Sequence, residues 1–176
     1  MQLQAETYKD YLMRLRKLNI TEIGDGGFGR VFQHPEFSNV AVKVVRSDTQ
    51  YLRFARFARR HPANPYLPKI ADIVSVHFDD SKDGFIVFTE RLRPAPAKLW
   101  LQFQEFLPKS TWPWSLAPNS VKRLSSAGWQ WLAAEAQDTN VREFATFAFK
   151  NMARLDLSQS NLMARGSQLV FTDPVS

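Results

Sequence analysis

The chain has 176 residues, 44% hydrophobic and 23% charged, with 14 Phe and 5 Trp, proportions that suit a packed domain or a joined pair of lobes and exclude wholesale disorder. It has no cysteine, which excludes disulfides and thiolate metal sites. A net charge of +6 favours a polyanionic partner: a nucleotide, a nucleic acid or an acidic protein surface.

Met1 to Leu18 is too polar and charged for a signal peptide. No stretch approaches the roughly 18 uncharged apolar residues of a membrane span. A cytoplasmic protein with no membrane partner is expected.

Residues 5–17 are expected to form a helix, with Tyr8, Leu12 and Leu15 along one apolar face. Asn19 to Ile23 reads as extended and leads into a glycine cluster at Gly24, Gly26, Gly27 and Gly29. Val31 and Phe32 resume the extended pattern before a turn at His34-Pro35. Val40 to Val45 is a β-branched run of the kind a buried strand has. Helical spacing returns over 49–60, with Tyr51, Phe54, Ala55 and Ala58 on one side, and Pro62, Pro65 and Pro68 end that helix in a loop. Ile73 to Phe78 and Phe85 to Thr89 read as strands joined by a hairpin turn over 79–84.

Arg93 to Ala97, with two prolines, marks a boundary. Beyond it the spacing predicts helices over 97–107, 119–136 and 140–152; in the last, Val141, Phe144, Ala145, Ala148 and Met152 share a face. Extended pieces at 161–163 and 169–171 close the sequence. The expected class is α+β.

Four fragments carry chemistry. Gly24 to Val31 fits G-x-G-x-x-G-x-V, in which glycines let backbone N–H groups approach phosphate oxygens; the alternative is a flexible hairpin turn. The motif lies between strands, which excludes the Rossmann arrangement of strand and helix. Val40-Ala41-Val42-Lys43 then places a lysine in an apolar strand, where phosphates would give the ammonium a partner; the alternative is an edge lysine reaching to water. Asp156-Leu157-Ser158-Gln159-Ser160-Asn161 has the D-L-x-x-x-N pattern, and Thr172-Asp173-Pro174 follows an apolar strand.

In this order the fragments resemble the protein kinase-like family. The pattern D-L-x-x-x-N-x-M with a final Asp-Pro-Val-Ser is similar to the early serine/threonine kinases of T-odd coliphages and related podophages. The resemblance implies a reduced kinase-like fold, with a small β-rich N-lobe over 1–92 and a truncated helical C-lobe over 93–176. It implies ATP-dependent phosphoryl transfer to a serine or threonine of a host protein. Gly24, Gly26, Gly27, Gly29, Val31 and Lys43 would hold the phosphates, and the backbones of Glu90 and Leu92, in a hinge over 89–92, would meet the adenine. Asn161 and Asp173 would bind Mg²⁺, and Asp156 would accept the hydroxyl proton.

The departures are specific. Arg154-Leu155 stands before Asp156 where His-Arg is usual, and Ser158 stands in place of a lysine. No glutamate occurs between Val44 and Thr89 to pair with Lys43, and Pro174-Val175 replaces Phe-Gly. The sequence given runs three residues beyond Asp173, without an activation segment. A catalytically degenerate relative that binds and inhibits a host protein, for example one that handles nucleic acid, is the alternative.

Arg53, Arg56, Arg59 and Arg60 form a basic stripe with Phe54 and Phe57 interleaved, either a solvated helix face or a docking face for nucleic acid or an acidic protein. Trp112, Trp114, Trp129 and Trp131 suit lobe packing better than an exposed surface. His34, His61 and His77 fall in no metal-ligand motif.

Overall fold

The computed structural model describes residues 7–26, 29–46, 49–78, 82–99, 101, 126–151 and 161–172. The chain divides into two units, Met1–Arg60 with Lys69–Arg91, and His61–Pro68 with Leu92–Ser176. The sequence reading leaves 61–68 in the N-terminal half; the fold groups them with the second unit.

The first unit opens with α1 (Tyr8–Lys17). Thr7 starts it, because its hydroxyl oxygen accepts the Asp10 N–H at 3.1 Å and so satisfies one of the orphan donors of the first turn. Asn19 ends it. Its φ of 55° turns the chain so that the N–H groups of Asn19 and Ile20 donate back to the carbonyls of Arg16 and Leu15 at 2.9 and 3.1 Å.

Five antiparallel strands follow, in the spatial order β1-β2-β3-β5-β4. They are β1 (Glu22–Gly26), β2 (Gly29–Gln33), β3 (Val40–Arg46), β4 (Ile70–Phe78) and β5 (Lys82–Glu90), with α2 (Thr49–Arg60) between β3 and β4. Alternation along the strands sends Phe32, Val44 and Phe78 to the face where Leu12 of α1 joins them. There the edges of the Tyr8 and Tyr11 rings meet Phe78 at 5.3 and 5.9 Å. Val45, Phe85 and Val87 point the other way, and Tyr51 of α2 stacks on Phe85 at 6.3 Å. The apolar stripe of α2 is fully used: Tyr51, Phe54, Ala55, Phe57 and Ala58 are all buried.

Several strand starts in the first unit differ from expectation, β5 among them, since it begins at Lys82 and not at Phe85. β1 starts at Glu22 and takes in the first glycines, and β4 starts at Ile70. Gly84, read from sequence as a turn residue, lies inside β5. A Cβ there would fall 2.4 Å from the Phe78 ring and 2.7 Å from the Val45 carbonyl oxygen, so close packing requires glycine.

The second unit contains β6 (Arg93–Pro94), α3 (Ser126–Glu135), α4 (Thr139–Asn151), β7 (Leu162–Arg165) and β8 (Gln168–Phe171). Residues 97–99 are helical, while most of the remainder of the expected 97–107 helix, the 119–125 start of the next and Met152 lie outside the described residues. β7 and β8 form a hairpin around Gly166, whose φ is 62°, and β6 adds to it, pairing with Met163 and Ala164. Asp138 caps α4 by accepting the N–H groups of Asn140 and Val141 at 2.8 and 3.3 Å. Phe144, Ala145 and Ala148 form the buried face of α4, and Phe144 stacks on Phe171 at 4.9 Å.

The loop His61–Pro68 is bound to this unit by polar groups. Asn64, 3% exposed, donates to the Asn140 carbonyl at 2.9 Å and to the Glu143 carboxylate at 3.1 Å, and accepts the Tyr66 N–H at 3.0 Å. The Tyr66 hydroxyl donates to Asp138 at 3.0 Å, and the guanidinium of Arg165 donates to the carbonyls of Pro65 and Leu67 at 3.1 and 2.9 Å. Removing Asn64 would leave the half-buried Asn140 carbonyl and Tyr66 N–H without these partners, at about 1–3 kcal/mol for each group that water does not reach.

Candidate functional site

The glycine motif is held by pairing, not left as a loose loop. β1 and β2 run through Gly24 opposite Val31, Asp25 opposite Arg30 and Gly26 opposite Gly29. Gly27 and Phe28 lie outside the described residues. Arg30 pairs with Asp25 across the hairpin and lies 3.6 Å from Glu22.

The glycines of this hairpin have different tasks. A Cβ at Gly29 would come 2.7 Å from the Val44 carbonyl oxygen, so this glycine lets β3 approach β2. A Cβ at Gly26 would meet nothing nearer than the Gly29 carbonyl at 3.7 Å, and one at Gly24 would only touch Val31 at 3.4 Å. Packing does not demand a bare backbone at Gly26.

Register then places the lysine. Lys43 lies directly opposite Val31 on β2 and Val87 on β5. Cross-strand partners project to one side of a sheet, so Val31 and Lys43 share a face. Lys43 is half-buried, and its Nζ stands 3.6 Å from the centroid of the Tyr51 ring. A cation over an aromatic face gains about 0.5–1 kcal/mol when exposed and about 2 or more when desolvated. Thus α2, which has no glutamate, presents a ring to the ammonium instead. Sequence reasoning saw the missing glutamate but took Tyr51 only as core. The available signal was a tyrosine in the first turn of the helix that follows the lysine strand.

The chain passes from the first unit to the second between Arg91 and Leu92, inside the expected hinge. Just before that point the backbone is strongly tied. The Glu90 N–H donates to the Lys69 carbonyl at 3.0 Å, the Glu90 carboxylate accepts the Lys69 N–H at 2.8 Å, and the Arg91 N–H donates to the Asn39 carbonyl at 2.7 Å.

In the second unit the Asn161 carbonyl accepts both the N–H and the hydroxyl of Thr172, each at 3.1 Å. The start of β7 is therefore clamped to the end of β8, and Thr172 is the sequence neighbour of Asp173. Asp156 and Asp173 themselves lie outside the described residues. Among the described residues, no group of three His, Cys, Asp or Glu side chains is placed to hold a metal ion.

The remaining candidates resolve into structural roles or exposed charge. His34 accepts the N–H groups of Glu36 and Phe37 at 3.1 and 3.2 Å, while His61 lies 3.3 Å from Glu143 and His77 3.1 Å from Asp83. Arg53, Arg56, Arg59 and Arg60 are exposed on α2, whereas Phe54 and Phe57 are 0% and 6% exposed. The interleaved aromatics face the interior, so they offer no stacking platform for bases. Trp129 and Trp131 belong to α3, and Trp112 and Trp114 lie outside the described residues. No described helix is long and apolar enough to cross a membrane.

No protein-family model matches this chain, and no curated protein does either. Among solved structures, a MAP kinase from Leishmania major is similar over 96% of this chain and 50% of its own, at 15% identity and a TM-score of 0.45. The chain thus spans half the length of that kinase. Aminoglycoside phosphotransferase APH(4)-Ia is similar over 93% of this chain and 69% of its own, at 12% identity and a TM-score of 0.44. A thermostable mutant of it, in a ternary complex with AMP-PNP and hygromycin B, is similar at a TM-score of 0.43 and 12% identity, over 93% of this chain and 69% of its own. Likenesses at these scores do not bear on activity.

Proposed function

We propose that the chain binds ATP and transfers its γ-phosphoryl group to a serine or threonine hydroxyl of a protein. One observation carries this reading. Lys43, on the third strand, stands directly opposite the last residue of the glycine motif and on the same face of the sheet. Protein kinases place a glycine-rich hairpin before a lysine on their third strand, and there the lysine pairs with nucleotide phosphates.

The residues suit a triphosphate. Lys43 is half-buried and its ammonium lies against the Tyr51 ring, so a phosphate oxygen would gain more from it than from a fully hydrated lysine. Gly26 leaves its backbone uncovered, as close contact with phosphate requires. The backbones of Glu90 and Leu92 would receive the adenine. Asn161 and Asp173 would hold Mg²⁺, which when bound neutralises charge on the phosphates. Asp156 would accept the proton of the acceptor hydroxyl as its oxygen bonds to the γ-phosphorus and the bond to the β-phosphate oxygen breaks, with the electron pair leaving on ADP. The Asp-Pro-Val-Ser ending supports an early phage kinase acting on a host protein in the cytoplasm.

Tyr51 favours a second reading. The residue that α2 sets against Lys43 is a tyrosine and not a glutamate, which suits a kinase-like protein that binds nucleotide and a host target without transferring phosphate. Incubation with labelled ATP and Mg²⁺, with and without host extract, followed by mass spectrometry, separates the two. Label on the chain's own serines or threonines, abolished in Asp156→Asn, is the expected result. ATP binding with no label would establish the binding-only reading.

A further inference from the structure

β4 is an edge strand. It pairs with β5 on one side, and among the described residues the backbone of 71–78 makes no hydrogen bond on the other. A long open edge invites a further strand, and proteins that do not use such an edge usually blunt it with charge, proline or a covering element. β4 has no proline; its one acidic residue, Asp72, lies at the irregular start of the strand and is paired with Arg59, and further along Val74 is 40% exposed.

Beside that strand, Arg56, Arg59 and Arg60 of α2 line a cleft of about 330 Å³ together with Ile73 and Ser75 of β4. Arg59 reaches Asp72 at 3.2 Å. Arg56 and Arg60 make no ion pair among the described residues. Two unpaired guanidiniums beside an unpaired strand edge form a surface with both a backbone template and a charge preference.

The geometry points to a docking site for an extended acidic peptide of a partner protein, which adds as a strand to β4 and lays its carboxylates on Arg56, Arg59 and Arg60. Charge selects this occupant. A second copy of a chain with net charge +6 would bring its own arginines against these. Single-stranded nucleic acid is disfavoured because Phe54 and Phe57 are buried and give no stacking platform, and a duplex would satisfy the arginines but not the strand edge, since it brings no polypeptide backbone to pair with β4. An acidic strand satisfies the backbone edge through main-chain hydrogen bonds and the arginines through alternate side chains. The site lies within the first unit and does not depend on the nucleotide reading.

The test uses the full chain and a fluorescein-labelled peptide of alternating Glu and Val, about ten residues long so as to span β4 at ~3.4 Å per residue. Fluorescence anisotropy follows binding at low salt, and hydrogen exchange follows residues 70–78. Arg56→Glu should weaken binding at least about tenfold, because it sets like charge against the carboxylates. Arg53→Glu, with the same change of net charge on the same helix but outside the cleft, should change affinity by less than about threefold. Exchange over 70–78 should slow on binding. Thermal melting of both variants checks that they remain folded. No binding, equal loss in the two variants, or unchanged exchange over 70–78 would overturn the proposal. Tighter binding of an oligothymidylate of equal charge would overturn it in favour of nucleic acid.

Discussion

The two units hold their candidate residues in different ways. In the first, strand register does the work: Gly24, Val31 and Lys43 are neighbours because β1, β2 and β3 pair in one alignment, and a slip of one residue would turn Lys43 to the opposite face. In the second, residues distant in sequence are joined by side chains. Loop residues Asn64 and Tyr66 bind the start of α4, Phe144 of α4 stacks on Phe171, and the Thr172 hydroxyl donates to the Asn161 carbonyl. The difference teaches where each half is vulnerable. Backbone crowding should disrupt the first, and loss of a single side chain should disrupt the second.

The largest expected effect is in the second unit. Phe144→Ala should lower stability by about 3–5 kcal/mol, since the fully buried ring leaves a cavity beside Phe171. Chemical denaturation measures it, and a loss below about 1 kcal/mol would show that other contacts brace α4.

A pair of glycine variants sharpens the contrast in the first unit. Gly29→Ala should cost about 1–3 kcal/mol, because its Cβ meets the Val44 carbonyl, while Gly26→Ala should leave stability within about 0.5 kcal/mol. Gly26→Ala should nonetheless weaken ATP binding. Equal destabilisation by the two variants would remove the distinction between a packing glycine and a ligand glycine.

The smallest effect is a pH dependence in the second unit. Burial first, and then the hydrogen bond to Asp138, raise the pKa of Tyr66 above 10.0. The folded chain therefore holds this proton more tightly than the unfolded chain. The contribution is intact below about pH 10 and is lost as pH rises through the folded value. Tyr66→Phe should flatten the fall in stability above pH 10, and an unchanged slope would place the titration elsewhere.

Much of the first unit was legible in the sequence, because strands and amphipathic helices announce themselves by local period. The apolar run over 40–45 gave β3, and the spacing of Tyr51, Phe54, Ala55 and Ala58 gave α2. What local pattern cannot report is contact across the fold. Gly84 looked like a turn glycine because its neighbours Phe78 and Val45 lie on other strands. Asn64 looked like loop composition because its partners Asn140 and Glu143 are more than seventy residues away. Tyr51 looked like core because period reveals a buried face but not the lysine that shares it.

The central claim, that the glycine hairpin and Lys43 form a nucleotide site, is tested most directly by thermal melting with and without Mg-ATP. At about a hundredfold excess over the dissociation constant, ATP should stabilise the wild-type chain by about 2.7 kcal/mol, and Lys43→Ala should lose most of that gain. An unchanged wild-type melting temperature under saturating Mg-ATP, with no heat of binding by calorimetry, would contradict the account.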